Sequence, residues 1–106
     1  MKSPKKLNKL KLAFITGASK GIGRSTAITF ANAGWDLILL SRNMDVLEQL
    51  KNELLTTKSK ISLVKCDLSN PPEIEHCIKE AIQKYGCPSV LINNAGCAFN
   101  LSLIHI

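Results

Sequence analysis

The sequence predicts an α/β fold in which a parallel sheet is covered by helices on both faces. Short apolar runs alternate regularly with helical patterns, which indicates consecutive βαβ units. The run at residues 36–40 is apolar at nearly every position, as expected for a strand buried on both faces. A glycine-rich turn at residues 16–23 joins the first apolar run to the first helix. We therefore expect the N-terminal part of a doubly wound sheet, with about four strands.

The first predicted strand, residues 12–15, leads through this turn into a helix that opens at Gly21. Small residues recur in the helix at spacings of three and four, which would let it lie close to the sheet. They are Gly23, Ala27, Ala31 and Gly34. Phe30 is expected to supply bulk beside this stripe.

The second strand, residues 36–40, is followed by Asn43, which can cap a helix. The buried face of that helix is predicted to consist of Leu47, Leu50 and Leu54. Residues 61–65 form the third predicted strand.

The third helix has a sharp predicted start, because residues 70–73 combine a capping box with proline in the first turn. Its apolar face follows helical spacing. The residues of that face are Ile74, Cys77, Ile78, Ala81, Ile82 and Tyr85. Gly86 is predicted to end the helix. Residues 90–92 form the fourth strand, which brings Asn93 to the carboxyl edge of the sheet beside the glycine-rich turn.

The length of 106 residues allows one domain at most, and 45% hydrophobic residues can form only a small core. The net charge of +6 is concentrated in residues 1–11, which we expect to be a disordered basic leader. From residue 12 onward the sequence contains nine basic and eight acidic residues. This balance argues against nucleic acid as a partner, although a basic-arm nucleic-acid binder is kept as an alternative. No segment reaches membrane-spanning length or resembles a signal peptide.

The four cysteines contain no C-x-x-C pair. We interpret them as buried, reduced thiols in a cytoplasmic protein, in preference to a zinc site or disulfides. No metal is expected.

Each glycine of the turn has its own physical role. Gly17 would let the chain turn tightly, Gly21 would let the backbone approach a pyrophosphate, and Gly23 would let the helix pack against its strand. Amides at the helix start, together with the positive end of the helix dipole, would then hold the anion. The loop lacks the spacing and the Gly-Lys-Ser/Thr of a phosphate-binding NTPase loop.

The turn at residues 16–23 has the pattern TGxxxGxG, and two further motifs follow it in order. Asp67-Leu68 comes after the third strand, and Asn93-Asn94-Ala95-Gly96 comes after the fourth. In this combination the chain resembles the short-chain dehydrogenase/reductase family over residues 11 to 97. The resemblance implies a Rossmann-type sheet and an NAD(P)(H)-dependent oxidoreductase that reduces a carbonyl or oxidises a secondary alcohol, with 3-oxoacyl-type reduction as one candidate. It also implies a homo-oligomeric full-length protein.

The resemblance assigns cofactor binding to Gly17, Ser19, Lys20, Gly21, Ile22, Gly23, Ser41, Arg42, Asp67, Leu68, Asn93, Ala95 and Gly96. The first motif would cradle the pyrophosphate, and Asp67 with the Leu68 amide would recognise the adenine. Three simpler roles stay open. Ser19 can be a turn former, Asp67 can cap the turn before the helix, and Asn93 can bridge neighbouring backbone groups.

Enzymes that use NAD tend to place an acidic residue after the second strand, where it holds the ribose 2′-hydroxyl. This chain has Ser41-Arg42 there, and Lys20 adds a second positive charge. Both cations suit a 2′-phosphate, so NADP is favoured over NAD. Taken singly, each could be an ordinary solvent-exposed charge.

The catalytic residues of the family, a serine, a Tyr-x-x-x-Lys pair and a further asparagine, all lie beyond the stretch that the resemblance covers. Tyr85 is the only tyrosine and is followed four positions later by Ser89. We expect it to be a core residue of the helix, so these residues alone should be inactive. A non-catalytic nucleotide-binding sensor on the same fold is the alternative.

Residues 101–106 read Leu-Ser-Leu-Ile-His-Ile, which matches a translation of the DNA of a sequencing-library adaptor. We expect this segment to be a translated adaptor and residues 12–100 to be a truncated dinucleotide-binding domain. A short apolar tail is the other interpretation.

Overall fold

A computed structural model describes residues 11–94. Four strands and three helices alternate along this part of the chain. In order they are β1 (Leu12–Thr16), α1 (Gly21–Asn32), β2 (Asp36–Ser41), α2 (Met44–Glu53), β3 (Ile61–Lys65), α3 (Pro71–Tyr85) and β4 (Val90–Asn93).

The four strands form one sheet with the order β3-β2-β1-β4. Every pairing is parallel, and β1 lies between β2 and β4. The chain moves outward from β1 to β2 and β3, then crosses back to place β4 on the other side of β1. The order of the strands therefore reverses between β1 and β4, and a parallel sheet binds ligands outside the carboxyl ends of its strands at such a point.

Alternate residues of the strands pack into two separate cores, one on each face of the sheet. Ala13, Ile15 and Leu37 belong to the core that also holds the buried residues of α1 and α2. Phe14 and Ile38 belong to the core formed with α3. The fold is therefore the doubly wound, Rossmann-type arrangement that the sequence predicts.

Asparagine side chains cap two of the helices. Asn43 Oδ1 accepts a hydrogen bond from Val46 N at 3.3 Å, and Asn70 Oδ1 accepts one from Glu73 N at 3.2 Å. The capping box predicted at residues 70–73 is only half formed, because the Glu73 carboxylate accepts from Asp67 N at 2.7 Å. The amide of Asn70 donates instead to the Asp67 carbonyl at 3.2 Å.

The small-residue stripe of α1 is shorter than predicted. Gly23, Ala27 and Ala31 are buried, but α1 ends at Asn32 and Gly34 lies exposed in the turn beyond it. Gly34 has a φ of 85°, so its role is to reverse the chain after the helix. Phe30 packs beside the stripe as expected, against the edge of Trp35, with the ring centroids 5.0 Å apart.

Candidate functional site

An open cleft of about 770 Å³ lies at the carboxyl ends of β1, β2 and β3. Its walls are the turns that leave these strands. The structure brings six of the predicted site residues together there: Ser19, Lys20, Ser41, Arg42, Asp67 and Leu68. Three separate stretches of sequence therefore meet around one cavity, at the edge where parallel sheets bind ligands.

The glycine-rich turn closes tightly at the end of β1. Gly17 and Gly21 have φ values of 66° and 62°, in the region that favours glycine. A Cβ atom at Gly23 would lie 2.0 Å from the carbonyl oxygen of Gly17. Since backbone atoms cannot move aside as a flexible side chain can, the start of α1 lies this close to the turn only because residue 23 is glycine.

The N-terminus of α1 differs from the starts of the other two helices. Its cap residue, Lys20, has extended backbone and no side-chain hydrogen bond, and its first turn contains no acidic residue. In contrast, α2 and α3 are capped by asparagines and carry Asp45 and Glu73 in their first turns. The first amides of α1 are thus left without a capping side chain, and such amides bind anions.

Ser41 connects the first two walls of the cleft. Its side chain is buried at the end of β2, where Oγ donates a hydrogen bond to Ser19 Oγ at 3.2 Å. The same oxygen accepts from Asn43 N at 3.3 Å. Ser19 and Ser41 therefore hold the turns after β1 and β2 together, and Ser19 is more than a former of its own turn.

The charges around the cleft are mixed. Arg42 is 76% exposed and its Nη1 lies 4.0 Å from Asp67 Oδ1. Lys20 and Lys65 also line the cleft, and so does Asp45. No acid follows β2 directly, as the sequence predicts, but Asp45 one helical turn later and Lys65 at the end of β3 are lining residues that were not predicted. Both could be found from their positions, since each lies at or just beyond the end of a predicted strand.

Asp67 organises the turn after β3. Its Oδ1 accepts hydrogen bonds from Ser69 Oγ at 2.7 Å and from Ser69 N at 3.0 Å. These bonds, with a smaller contribution from the Arg42 charge, hold the pKa of the Asp67 carboxyl below its usual range. Asp67 therefore caps the turn before α3, the simpler role that the sequence left open, and Asn70 caps the helix itself. Asp67 thus presents an ionised, oriented carboxylate at the wall of the cleft.

The side chain of Thr16 connects the carboxyl ends of β1 and β4. Thr16 Oγ1 donates to Asn93 Oδ1 at 2.7 Å and accepts from Asn94 N at 3.0 Å. The Asn93 side chain thus bonds a side chain of β1, and the bridging of backbone groups by Asn93 stays a prediction. Within the described residues, Asn94 Nδ2 is buried without a hydrogen-bond partner.

The remaining predicted residues lie apart from the main cleft or outside the described part. Gly21 and Ile22 line a second, shallower opening beside α1, and Ile22 is 77% exposed. Ala95 and Gly96 lie outside the described residues. Tyr85 packs half-buried against the core below α3, with the Lys84 ammonium 5.2 Å from its ring centroid. It does not line either opening.

Cys66 and Cys77 are buried and form no disulfide, as expected, whereas Cys87 is exposed, so the expectation that the cysteines are buried is wrong for Cys87. Cys97 lies outside the described residues. Among the helices of residues 11–94, none is long and apolar enough to cross a membrane.

Comparison with known proteins agrees with this geometry. The family model for short chain dehydrogenases matches residues 11–105. A 3β-hydroxysteroid dehydrogenase from Eggerthella lenta is 37% identical over 89 residues, covering 84% of this chain and 34% of the relative.

Solved structures give the same result. L-sorbose reductase from Gluconobacter frateurii, complexed with NADPH and L-sorbose, superposes with a TM-score of 0.73 at 31% identity, covering 85% of this chain and 35% of the reductase. An alcohol dehydrogenase from Thermococcus sibiricus, complexed with 5-hydroxy-NADP, has a TM-score of 0.70 at 33% identity. The match covers 76% of this chain and 35% of the alcohol dehydrogenase. The chain spans about a third of the length of the proteins it matches.

Proposed function

Because the chain belongs to the short-chain dehydrogenase family, we propose that residues 11–94 form most of the cofactor-binding part of an NADP(H)-dependent oxidoreductase. Its substrates are small molecules with a carbonyl or a secondary alcohol group. The observation that carries this proposal is the uncapped start of α1, held against the turn after β1 by the contact between Gly23 and Gly17.

Residues at the carboxyl edge of the sheet fit a dinucleotide in three respects. The amides at the start of α1 suit the pyrophosphate. Asp67 offers a carboxylate that can accept from the adenine amino group, beside the backbone of Leu68. A nicotinamide dinucleotide supplies hydride transfer when bound, while the protein supplies binding and orientation. The amide of Asn94, buried without a partner among residues 11–94, lies next to the crevice between β1 and β4.

The preference for NADP over NAD rests on the cations of the cleft. Lys20, Arg42 and Lys65 line it together with the acids Asp45 and Asp67. Arginine and lysine bind phosphate through charge-assisted hydrogen bonds, and Arg42 is exposed enough to reach a ligand. The two solved neighbours described above were complexed with NADPH and 5-hydroxy-NADP, which supports the same preference.

Nucleotide binding without turnover is the second candidate function. The observation that favours it is the position of Tyr85, which packs against the core rather than lining the cleft. No proton donor of the family type has therefore been identified in the described residues.

The adenine end of the cofactor provides the sharpest test, because the described cleft holds the residues assigned to it. We would titrate the purified chain with 2′,5′-ADP and with 5′-AMP, which differ only by the 2′-phosphate, by calorimetry. We expect the 2′-phosphate to strengthen binding about tenfold, as hydrogen bonds to a charged group contribute about 1.5–3 kcal/mol. Equal affinities would contradict NADP preference, and failure of both ligands to bind would contradict the nucleotide site itself.

A further inference from the structure

Behind the wall of the cleft, three side chains with metal-binding groups come together. They are Cys66, Glu73 and Cys77, and one ligand atom from each lies within 4.8 Å of the other two. Cys66 directly follows β3, whereas the other two residues belong to the first turns of α3. Both cysteines are buried and Glu73 is half-buried, so the group has one side open to solvent.

Each of the three groups forms a hydrogen bond with the surrounding backbone, which orients it. The Cys66 thiol donates to the Glu73 carbonyl at 3.9 Å, and the Cys77 thiol donates to the Lys65 carbonyl at 3.8 Å. The Glu73 carboxylate accepts from the Asp67 amide at 2.7 Å. A carboxylate has two oxygens and about four lone-pair positions, so this bond leaves it able to bind a cation. Metal-binding carboxylates are usually held by a hydrogen bond of this kind.

The ligand atoms lie close enough together, within 4.8 Å, for small side-chain movements to bring them around one tetrahedral cation. Zn²⁺ binds sulfur at about 2.3 Å and carboxylate oxygen at about 2.0–2.2 Å, which places two sulfurs roughly 3.8 Å apart. Thiolates select zinc-like cations over Mg²⁺ and Ca²⁺, which prefer oxygen. We propose that Cys66, Cys77 and Glu73 bind one thiophilic divalent cation of the zinc type.

Binding exchanges protons for the cation. Without metal, burial raises the pKa of both thiols, and their contact raises that of Cys66 further. On binding, the two sulfurs lose their protons to solvent and become thiolate ligands, so that the divalent cation replaces two thiol protons.

The metal-free thiols expected from the sequence were inferred from spacing alone. Cys66 and Cys77 are distant from C-x-x-C spacing, and only the packing of α3 against the end of β3 brings them together. The bound cation would fix the connection between β3 and α3, which carries Asp67 and Leu68 into the cleft. This proposal does not depend on which nucleotide the cleft binds.

Cadmium is the probe of choice, because each thiolate bound to Cd²⁺ produces an ultraviolet charge-transfer absorption. The full chain, reduced with a phosphine under anaerobic conditions, would be titrated with Cd²⁺ alone and then with Zn²⁺ as competitor. We expect saturation at one Cd²⁺ per chain and displacement by Zn²⁺. Zn²⁺ should also raise the midpoint of thermal unfolding, because it binds the folded state.

Matched variants locate the site. Cys66→Ser and Cys77→Ser should abolish the absorption at one equivalent, and Glu73→Gln should weaken binding more than tenfold, since loss of even a supporting partner costs about 10–100-fold. Cys87→Ser and Glu48→Gln, which change an exposed thiol and an exposed acid elsewhere, should bind as the parent chain does.

The outcomes separate the proposed site from simple thiol chemistry. An absorption that survives in Glu73→Gln with unchanged affinity would show that the cysteines act alone, as they would in an unfolded chain, and would overturn the proposal. Loss of the absorption in Cys87→Ser, or no absorption in the reduced parent chain, would do the same. The Glu73→Gln variant keeps the test valid even where a cysteine variant fails to fold.

Discussion

Thr16 Oγ1 donates a 2.7 Å hydrogen bond to Asn93 Oδ1, joining the carboxyl ends of β1 and β4 across 77 residues of sequence. The same hydroxyl accepts from Asn94 N at 3.0 Å. Thr16 is completely buried and pairs in register with Asn93. One side chain thus connects the first and last described strands at the point where the order of the strands reverses.

Removing that hydroxyl should destabilise the fold. We expect Thr16→Val to lower the free energy of unfolding by about 2 kcal/mol, since it removes two hydrogen bonds, to Asn93 Oδ1 and from Asn94 N, that each contribute about 1 kcal/mol. Thr16→Ser keeps the hydroxyl and should lose only the contribution of a buried methyl group, about 1 kcal/mol. Denaturant unfolding measures both. Equal losses in the two variants would mean that the hydroxyl contributes little.

A methyl group at residue 23 should damage both the fold and the site. Replacing an exposed glycine inside a helix by alanine usually stabilises the protein by about 1 kcal/mol. We expect the opposite sign for Gly23→Ala, because the added Cβ would lie 2.0 Å from the Gly17 oxygen and must push α1 away from the turn. Nucleotide affinity should fall at least tenfold.

The control for this change is Ser25→Ala, at an exposed position of the same helix. Denaturant unfolding and nucleotide titration should both leave the control near the parent chain. A Gly23→Ala chain with undiminished stability and affinity would refute the close contact between the turn and α1.

The choice of cofactor should depend on charge at the cleft. We expect Lys20→Ala and Arg42→Ala each to reduce the preference for 2′,5′-ADP over 5′-AMP by about threefold, since each removes one of the two charged partners that together give the tenfold preference. Asp45→Asn should strengthen the same preference by removing a negative charge from the cleft. Added salt should screen these charges, so the affinity ratios of the parent chain and of the variants should become more alike.

Lys58→Ala is the control, because Lys58 is exposed just before β3, at the opposite edge of the sheet. Its affinity ratio should match that of the parent chain. If Lys58→Ala lowers the ratio as much as Arg42→Ala does, the preference reflects overall charge and not the cleft.

The carboxyl of Asp67 should titrate at an unusually low pH. Hydrogen bonds from Ser69 lower its pKa, so its ionised form stabilises the folded chain at pH values above the pKa of an unfolded aspartate. That contribution is lost as the pH falls through the lower, folded pKa. In Ser69→Ala the folded pKa should move back toward the ordinary value.

Carbon-13 NMR of the side-chain carboxyl measures this shift directly. Ser25→Ala, which removes a hydroxyl from an exposed position of α1, should leave the Asp67 titration unchanged. An Asp67 pKa that is the same with and without the Ser69 hydroxyl would exclude the hydrogen bond as its cause.

The chain should bind NADPH without oxidising it. Tyr85, the only tyrosine, packs against the core below α3 and cannot deliver a proton to a ligand in the cleft. We expect no loss of NADPH absorbance when the chain is mixed with simple ketones. Turnover that disappears in Tyr85→Phe would contradict this assignment, and unchanged NADPH binding in that variant is the expected control result.

The main features of the fold could be predicted from local sequence signals. The apolar run at residues 36–40 indicates a strand covered on both faces, and Asn43 and Asn70 mark two helix starts that the structure confirms. These signals act over a few residues, through the period of a strand or the hydrogen bond of a cap, so the sequence alone contains them. Gly34 shows the limit of such local signals. Its spacing continues the small-residue pattern of α1, but α1 ends at Asn32.

Most contacts of the site depend on residues that are distant in sequence. Ser41 meets Ser19, Thr16 meets Asn93, and Cys66 meets Cys77, each after the chain has crossed the sheet or a helix has packed on it. The family motifs predicted which residues belong near a nucleotide, while the tertiary structure decided their partners. The sequence by itself therefore determined the order and type of the elements. Only packing decided which side chains share a cavity, because no local pattern encodes how far apart two strands lie.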